Sequence, residues 1–500
     1  MELTSLGSNI AFFSRSFQTE QENSFTRTPI RLSELLTMTT FKQISQIMSE
    51  QSSTPNQIEL FGELYQRHLE QLNDPIEWNQ LTSPPAESIL NYDKLDSVSA
   101  DETRSLLSEL AVCRLNGGLG TSMGCVGPKS AIEVKNGQSI LDLIVSQIQS
   151  LNTKYGVNVP LVLMNSFNTD TDTEKIIKKY NGRLPITTFL QNQFPRLRKD
   201  SLLPLSAEKY GVQSFYPPGH GDFYQSIAKT GILDRLLEQG KKYLFIANAD
   251  NLGASVDVKI LNLMKQKAIP FIMEVTPKTR ADVKGGTLIK SDNHSLRLLE
   301  IAQVPREYQE TFKSVKKFKI FNTNNIWIDL FELKKKLENN ALHLDVIVNQ
   351  KTVNHLPVIQ LETALGSGIN NFEGSMAVQV PRIRFVPIKK TDDLLLVQSN
   401  LFLFKDGILM KNPDRQFEGL PLIRLGENFQ SVEDYQQRIP SIPDILELDL
   451  LTVVGNVYFG DNMTLRGNVI LVCESGGLHL PDQSLIENKV MTGQIKLGEL

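Results

Sequence analysis

The chain has 500 residues, 40% apolar, 22% charged and 7% aromatic, which is enough for two or three cores and excludes collagen, coiled coil and wholesale disorder. Fifty-two basic side chains against 56 acidic ones leave a net charge of −4, so no global basic surface calls for a nucleic acid polymer or an acidic membrane. Any anionic ligand must therefore be met by a local site. Cys113, Cys125 and Cys473 are three in number and lack metal-type spacing, which fits a reducing, cytoplasmic setting and excludes a disulfide framework. No run approaches the ~20 apolar residues needed to span a membrane.

Residues 1–55 are rich in Ser, Thr and Gln with only brief apolar patches, and read as a mobile arm. Glu2, Glu20, Glu22 and Glu34 argue against a transit peptide there. Residues 56–108 follow as a helical segment, with Ile58, Leu60, Phe61, Leu64 and Tyr65 at helical intervals. Across residues 109–400, short apolar runs alternate with amphipathic stretches, the α/β pattern. Strands are expected at Ala111–Leu115, Leu161–Met164, Tyr243–Ala247 and Phe271–Val275, and a helix carrying Ile140, Leu141, Leu143, Ile144, Ile148 and Leu151 on one face. The expected product is a mostly parallel sheet between helices. Residues 401–500 form a second unit. In it Gly-Asn-Val at 455–457 recurs at 467–469, a spacing of twelve. Short strands around Val457, Val469 and Ile495 fit a small left-handed β-helix or, equally, an antiparallel meander.

The densest motif is Leu115-Asn116-Gly117-Gly118-Leu119-Gly120-Thr121-Ser122-Met123-Gly124-Cys125-Val126-Gly127-Pro128-Lys129-Ser130, directly after a strand. Loss of Cβ atoms lets backbone N–H groups surround a polyanion, and Lys129 adds a point charge. Tight turns and dinucleotide sites also collect glycine. Here the dinucleotide spacing is missed by one residue, and the P-loop offset is absent. Asn248-Ala249-Asp250-Asn251 follows a buried strand, where Asp250 can hold Mg²⁺ on phosphate oxygens or simply cap the next helix. Pro217–Asp222 surrounds His220 with rigid and permissive residues, as either a pocket wall or a sharp turn. Amide-rich Phe321–Asn325 suits sugar hydroxyls. Lys389 closes an apolar, proline-bounded segment and is expected to face an anion or a carboxylate.

Together these residues resemble the signature of eukaryotic UTP–glucose-1-phosphate uridylyltransferases, the UDP-glucose pyrophosphorylases. The likeness continues through Tyr216–Asp222, Asn248–Gly253, Thr279–Thr287, Phe318–Trp327, Gln360–Ala364 and Pro381–Leu396, and covers Gln57 to the C-terminus. The resemblance implies a glycosyltransferase-A-like nucleotidyltransferase domain with a C-terminal left-handed β-helix. The implied reaction is Mg²⁺-dependent and reversible, UTP and α-D-glucose 1-phosphate giving UDP-glucose and pyrophosphate. Carried over by residue, the nucleotide loop falls on Leu115, Asn116, Gly117, Gly118 and Lys129, and the uracil contact on Gln191 with Gly219 nearby. Sugar-phosphate contacts fall on His220, Asn248 with Ala249, and Asn324. The metal carboxylate falls on Asp250, the essential lysine on Lys389, and a second phosphate-facing lysine on Lys284. The resemblance leaves open a monomer or a homo-oligomer, an octamer joined through the C-terminal unit, and the Glu487-Asn488-Lys489-Val490 segment resembles the octamer-forming kind. Three rivals remain: a pyrophosphorylase of different sugar choice, a dinucleotide-dependent oxidoreductase, and an inactive scaffold.

Overall fold

Neighbouring residues along each central strand enter different cores, because side chains of an extended chain alternate between two faces. Leu110 and Val112 join one cluster while Ala111 and Cys113 join another, and the same division separates Leu161 and Leu163 from Val162 and Met164. A strand buried on both faces reads as a continuous apolar run, and it must be covered by helices on both sides. In the computed structural model, which describes residues 32–73, 77–279, 282, 285–290, 296–417 and 419–492, this is the arrangement found.

The central sheet has eight strands: β1 (Ile89–Asn91), β2 (Leu110–Leu115), β3 (Leu161–Asn165), β4 (Ile186–Leu190), β5 (Tyr243–Asn248), β6 (Phe271–Pro277), β7 (Ile320–Asp329) and β8 (Met376–Gln379). Their spatial order is β1-β8-β6-β7-β5-β2-β3-β4. All pairings are parallel except the two made by β7. The α/β class and the four strands expected from apolar runs are thus present. The expected helix runs from Ile140 to Tyr155, begun by a reciprocal Ser139–Asp142 capping box and ended by Gly156 in the left-handed region.

Two expectations at the ends of the chain need correction. The mobile arm does not extend through residue 55, because α1 (Leu32–Glu50) lies within it and buries Ile44 and Met48 against α2 (Pro55–Asn73), Phe194, Tyr216 and Leu361. The polar composition hid a single apolar stripe with a surface to cover. Residues 1–31 lie outside the described part. At the other end, residues 401–411 form an antiparallel hairpin, Phe402–Lys405 with Ile408–Lys411. Four parallel strands come only afterwards: β9 (Leu422–Arg424), β10 (Leu448–Tyr458), β11 (Thr464–His479) and β12 (Leu485–Thr492), paired in chain order. The meander is therefore excluded. The twelve-residue recurrence is not the repeat of this sheet, since Leu450 pairs with Asn468 and Gly455 with Cys473, an offset of eighteen. The expected strand at Ile495 lies outside the described residues. Leu448, Leu451, Val453, Leu465, Val469 and Leu471 share the large core with Ile388 and Leu394, so this unit packs directly on the segment that carries Lys389.

That segment is fixed by a buried ion pair. Arg384 donates through Nε and Nη2 to the two oxygens of Glu274 at 2.7 and 2.6 Å, and Glu274 also accepts from Trp327 Nε1 at 2.9 Å and Asn325 Nδ2 at 3.0 Å. Burial alone would favour the neutral guanidine, yet pairing with Glu274 raises the Arg384 pKa above its ordinary value. Removing one partner of such a pair strands the other charge in the interior, at a cost of about 3–5 kcal/mol. Arg384→Met is accordingly expected to lower the denaturant midpoint markedly. An unfolding curve superimposable on that of the unaltered chain would show that the pair holds nothing in place.

Candidate active site

The chain leaves β2 toward β3 on one side and later enters β5 on the other, so the carboxyl ends of β2 and β5 flank a crevice of the kind where open α/β sheets bind ligands. Leu115 and Asn248 are paired at those ends. From them spring the glycine loop and the Asp250 loop.

Within the glycine loop, Leu115 is core and Asn116 is a brace. Asn116 Nδ2 donates to Asn165 Oδ1 and Thr173 Oγ1, its Oδ1 accepts from Ser130, and its backbone N–H reaches Met164 O. The Gly117 and Gly118 N–H groups have no protein acceptor among the described residues. Gly117 has a steric reason to be glycine, since a Cβ there would sit 2.0 Å from Gln191 Nε2. Gln191 is buried, and its Oε1 has no partner. The Lys129 N–H closes the loop onto Gly118 O, and Lys129 Nζ reaches Asp250 Oδ2 at 3.0 Å.

A second lysine meets the same oxygen from a distant part of the chain. Lys389 Nζ lies 2.7 Å from Asp250 Oδ2. Backbone bonds from Leu252 N to Val386 O and from Ile388 N to Asp250 O deliver it there. Asn251 completes the joint by donating to Arg384 O and accepting from Val386 N, and Gly253 permits it, because a Cβ there would lie 2.2 Å from Ile383 O. Asp393 Oδ2 accepts from the N–H groups of Lys389 and Lys390, fixing the turn. The expectation that Lys389 faces a carboxylate holds, but its side chain is 53% exposed and so open to a ligand. Burial pushes the Asp250 carboxyl up, and the two ammonium groups outweigh it and hold the carboxyl below the usual range. Asp250 Oδ1 is buried without a partner.

The other expected residues that are described, Asn324, Ala249, Gly219 and His220, have defined partners or neighbours. Asn324, at φ 58°, donates through Nδ2 to Asn248 Oδ1 at 2.9 Å and keeps its own Oδ1 unpartnered. Ala249 is buried, and its N–H is held by Leu115 O. Gly219, at φ 84°, turns the chain tightly against Thr363 O. His220 Nδ1 accepts from Leu365 N–H at 2.7 Å, which leaves the proton of the neutral ring on Nε2. Burial and then the nearby Lys389 charge push its pKa down to about 4. Lys284 lies outside the described residues. Sequence reasoning gave Asn251 and Asp222 no role beyond their motifs and passed over Glu274 and Asp393. For Glu274 a signal existed, a lone acid inside the apolar run Phe271–Val275.

Two ammonium groups, free N–H donors and one carboxylate make a receptor for a polyanion. Among the described residues no three His, Cys, Asp or Glu side chains cluster as a metal centre, so a metal here would rest on Asp250 and ligand oxygens. His220 is a donor throughout the neutral range. Its imidazole resonances are expected to stay neutral in an NMR titration between pH 5 and 8. Because the unfolded chain takes up this proton first, the contribution of His220 to stability is lost as pH falls from about 6.5 toward 4.

A family model described as UTP–glucose-1-phosphate uridylyltransferase matches residues 58–466. The chain is 49% identical over 448 residues to UTP–glucose-1-phosphate uridylyltransferase 2 of Dictyostelium discoideum, covering 89% of each. It is also 49% identical over 453 residues to the Saccharomyces cerevisiae UTP–glucose-1-phosphate uridylyltransferase, covering 89% of this chain and 90% of that one. Among solved structures it resembles the UDP-glucose phosphorylase of Trypanosoma brucei, with TM-score 0.82, 35% identity, and 91% of this chain and 99% of that one covered. It also resembles a mutant form of Leishmania major UDP-glucose pyrophosphorylase in complex with UDP-glucose, with TM-score 0.81, 30% identity and the same coverage. Identity of this order along nearly the full length of both partners leaves one conclusion: the chain belongs to the UTP–glucose-1-phosphate uridylyltransferase family.

Proposed function

We propose that the chain transfers a uridylyl group between UTP and α-D-glucose 1-phosphate, giving UDP-glucose and pyrophosphate reversibly by in-line attack on the α-phosphorus. The convergence of Lys129 and Lys389 on one oxygen of Asp250 carries this reading. A sugar phosphate with a second pKa near ~6 is already a dianionic nucleophile at neutral pH, so no base has to act. The difficulty is to bring one polyanion against another. Lys129, Lys389 and the Gly117 and Gly118 N–H groups would take up phosphate charge, with Lys284 as a further cation, and a neutral His220 would donate a hydrogen bond. The unpartnered Oδ1 of Asp250 fits Mg²⁺, which binds through one or two carboxylates plus phosphate oxygens. When bound, the ion would neutralise charge on those oxygens.

Gln191 would read the base. Its unpartnered Oε1 can accept from uracil N3–H, whereas cytosine offers a lone pair at that position. Asn248 and Asn324 supply amides for the sugar phosphate, with Ala249 and Gly219 shaping the wall. Leu115 and Asn116 hold the loop. The glycosyltransferase-A-like class and the left-handed coil of β9 to β12 belong to the same reading, as does a cytoplasmic location, which the three free cysteines suit. No helix among the described residues is long and apolar enough to cross a membrane.

Lys389→Ala is expected to lower turnover at least a hundredfold, about 2.7–4 kcal/mol for one preorganised charge, while circular dichroism stays unchanged. A coupled pyrophosphate-release assay with glucose 1-phosphate and Mg²⁺, comparing UTP with ATP, GTP and TTP, checks both the activity and this variant. Turnover by Lys389→Ala near that of the unaltered enzyme would remove the lysine from the mechanism. Association is assigned to the C-terminal sheet, whose last strand exposes Leu485 and Val490. Light scattering should give an oligomer, an octamer by the family's pattern, that falls to monomer when residues beyond Asp482 are removed. An unchanged mass would place the contact elsewhere.

A further inference from the structure

The turn that presents His220 also ends in a carboxylate with no part in the chemistry above. Asp222 is buried, and two of the three hydrogen bonds to its carboxylate come from Asn192. Its Oδ2 accepts from the backbone N–H of Asn192 at 2.6 Å and from Ser226 Oγ at 2.7 Å, and its Oδ1 accepts from Asn192 Nδ2 at 2.8 Å. Lys229 Nζ donates to Asn192 Oδ1 at 3.5 Å, which fixes which end of that amide faces the acid. Residue 192 is thus gripped by backbone and side chain together. The residue before it is Gln191, whose backbone N–H is held by Asn165 O and whose side-chain amide lies against Gly117 with an unpartnered oxygen. Pinned on both sides, Gln191 has little freedom to turn its amide.

We infer that Asp222 is the positioning residue that sets base selection, by clamping Asn192 so that the Gln191 amide presents its acceptor in one orientation. The inference rests on the reading that Gln191 faces the uracil. It predicts a division of effects. His220 is anchored independently by Leu365 N–H, and Lys129, Lys389 and Asp250 make no contact with Asp222, so loss of the clamp loosens recognition of the base and spares the chemical step. A merely structural acid would alter stability and leave selectivity untouched.

Asp222→Asn replaces one acceptor by a donor facing the Asn192 donors. Expected in this variant are a KM for UTP raised about tenfold, a ratio of kcat/KM for UTP over CTP lowered about tenfold, and kcat at saturating UTP within about threefold of the unaltered enzyme. Combining Asp222→Asn with Asn192→Asp exchanges donor and acceptor across the same pair and keeps an acceptor for Lys229, so it should restore the ratio. Should Asp222→Asn fail to fold, Asn192→Ala removes only the side-chain half of the grip and should lower the ratio several-fold. A folded Asp222→Asn or Asn192→Ala enzyme with unaltered KM and UTP/CTP ratio would overturn the inference. A parent enzyme without preference for UTP would instead overturn the reading of Gln191 on which it stands.

Discussion

A single carboxylate oxygen shared by two ammonium groups is the contact around which this end of the sheet is organised. Two nitrogens within hydrogen-bond reach of one oxygen are less than about 6 Å apart and repel by roughly 3 kcal/mol at an effective dielectric of ~20. Without Asp250 they would not rest there. With it, the protein holds two positive charges side by side, and the carboxylate is stabilised in its charged form in return.

The rest of the fold makes this contact possible across a separation of 139 residues. Lys129 comes from the loop after β2, Asp250 from the loop after β5, and Lys389 from a segment that follows β8. Adjacency of β2 and β5 accounts for the first two. The third depends on the bond from Arg384 to Glu274, on Asn251 as a three-way connector, and on the absence of a side chain at Gly253. The unit bearing β9 to β12 adds further support to the helix Thr391–Gln398, since Thr391 Oγ1 donates to Phe429 O and the Leu425 N–H donates to Asp392 Oδ1. The C-terminal unit therefore bears on the segment that carries Lys389.

Features written in local pattern were legible before the coordinates. Continuous apolar runs marked the doubly buried strands, and the alternation of strands with helical faces marked the class. Glycine density with Lys129 and Asp250 marked the end of the sheet where the two loops meet. Features that depend on partners remote in sequence were not legible. Asn116 looked like a ligand contact but spends every donor inside the protein, and nothing in Asn116 itself reveals Asn165, Thr173 and Ser130 around it. Asp222 looked like part of a turn until Asn192 was found beneath it. The arm failed for another reason: α1 is stable through burial of Ile44 and Met48 on α2 and its neighbours, and composition averaged over 55 residues does not register one stripe.

The protonation states of Asp250 and His220 follow from the same arrangement. The Asp250 carboxyl is held below its usual range by its two cations, and His220 is held neutral by burial beside Lys389. Neither changes charge near neutral pH, so the electrostatic landscape offered to the ligands is constant there. The ionisation that matters belongs to the sugar phosphate itself, near ~6. A neutral imidazole also suits this setting better than a charged one: a third positive charge against Lys129 and Lys389 would add repulsion, whereas an N–H donor adds direction at no such cost. The site thus gathers its charge on Asp250 and its two lysines and leaves orientation to the uncharged His220 and Asn324.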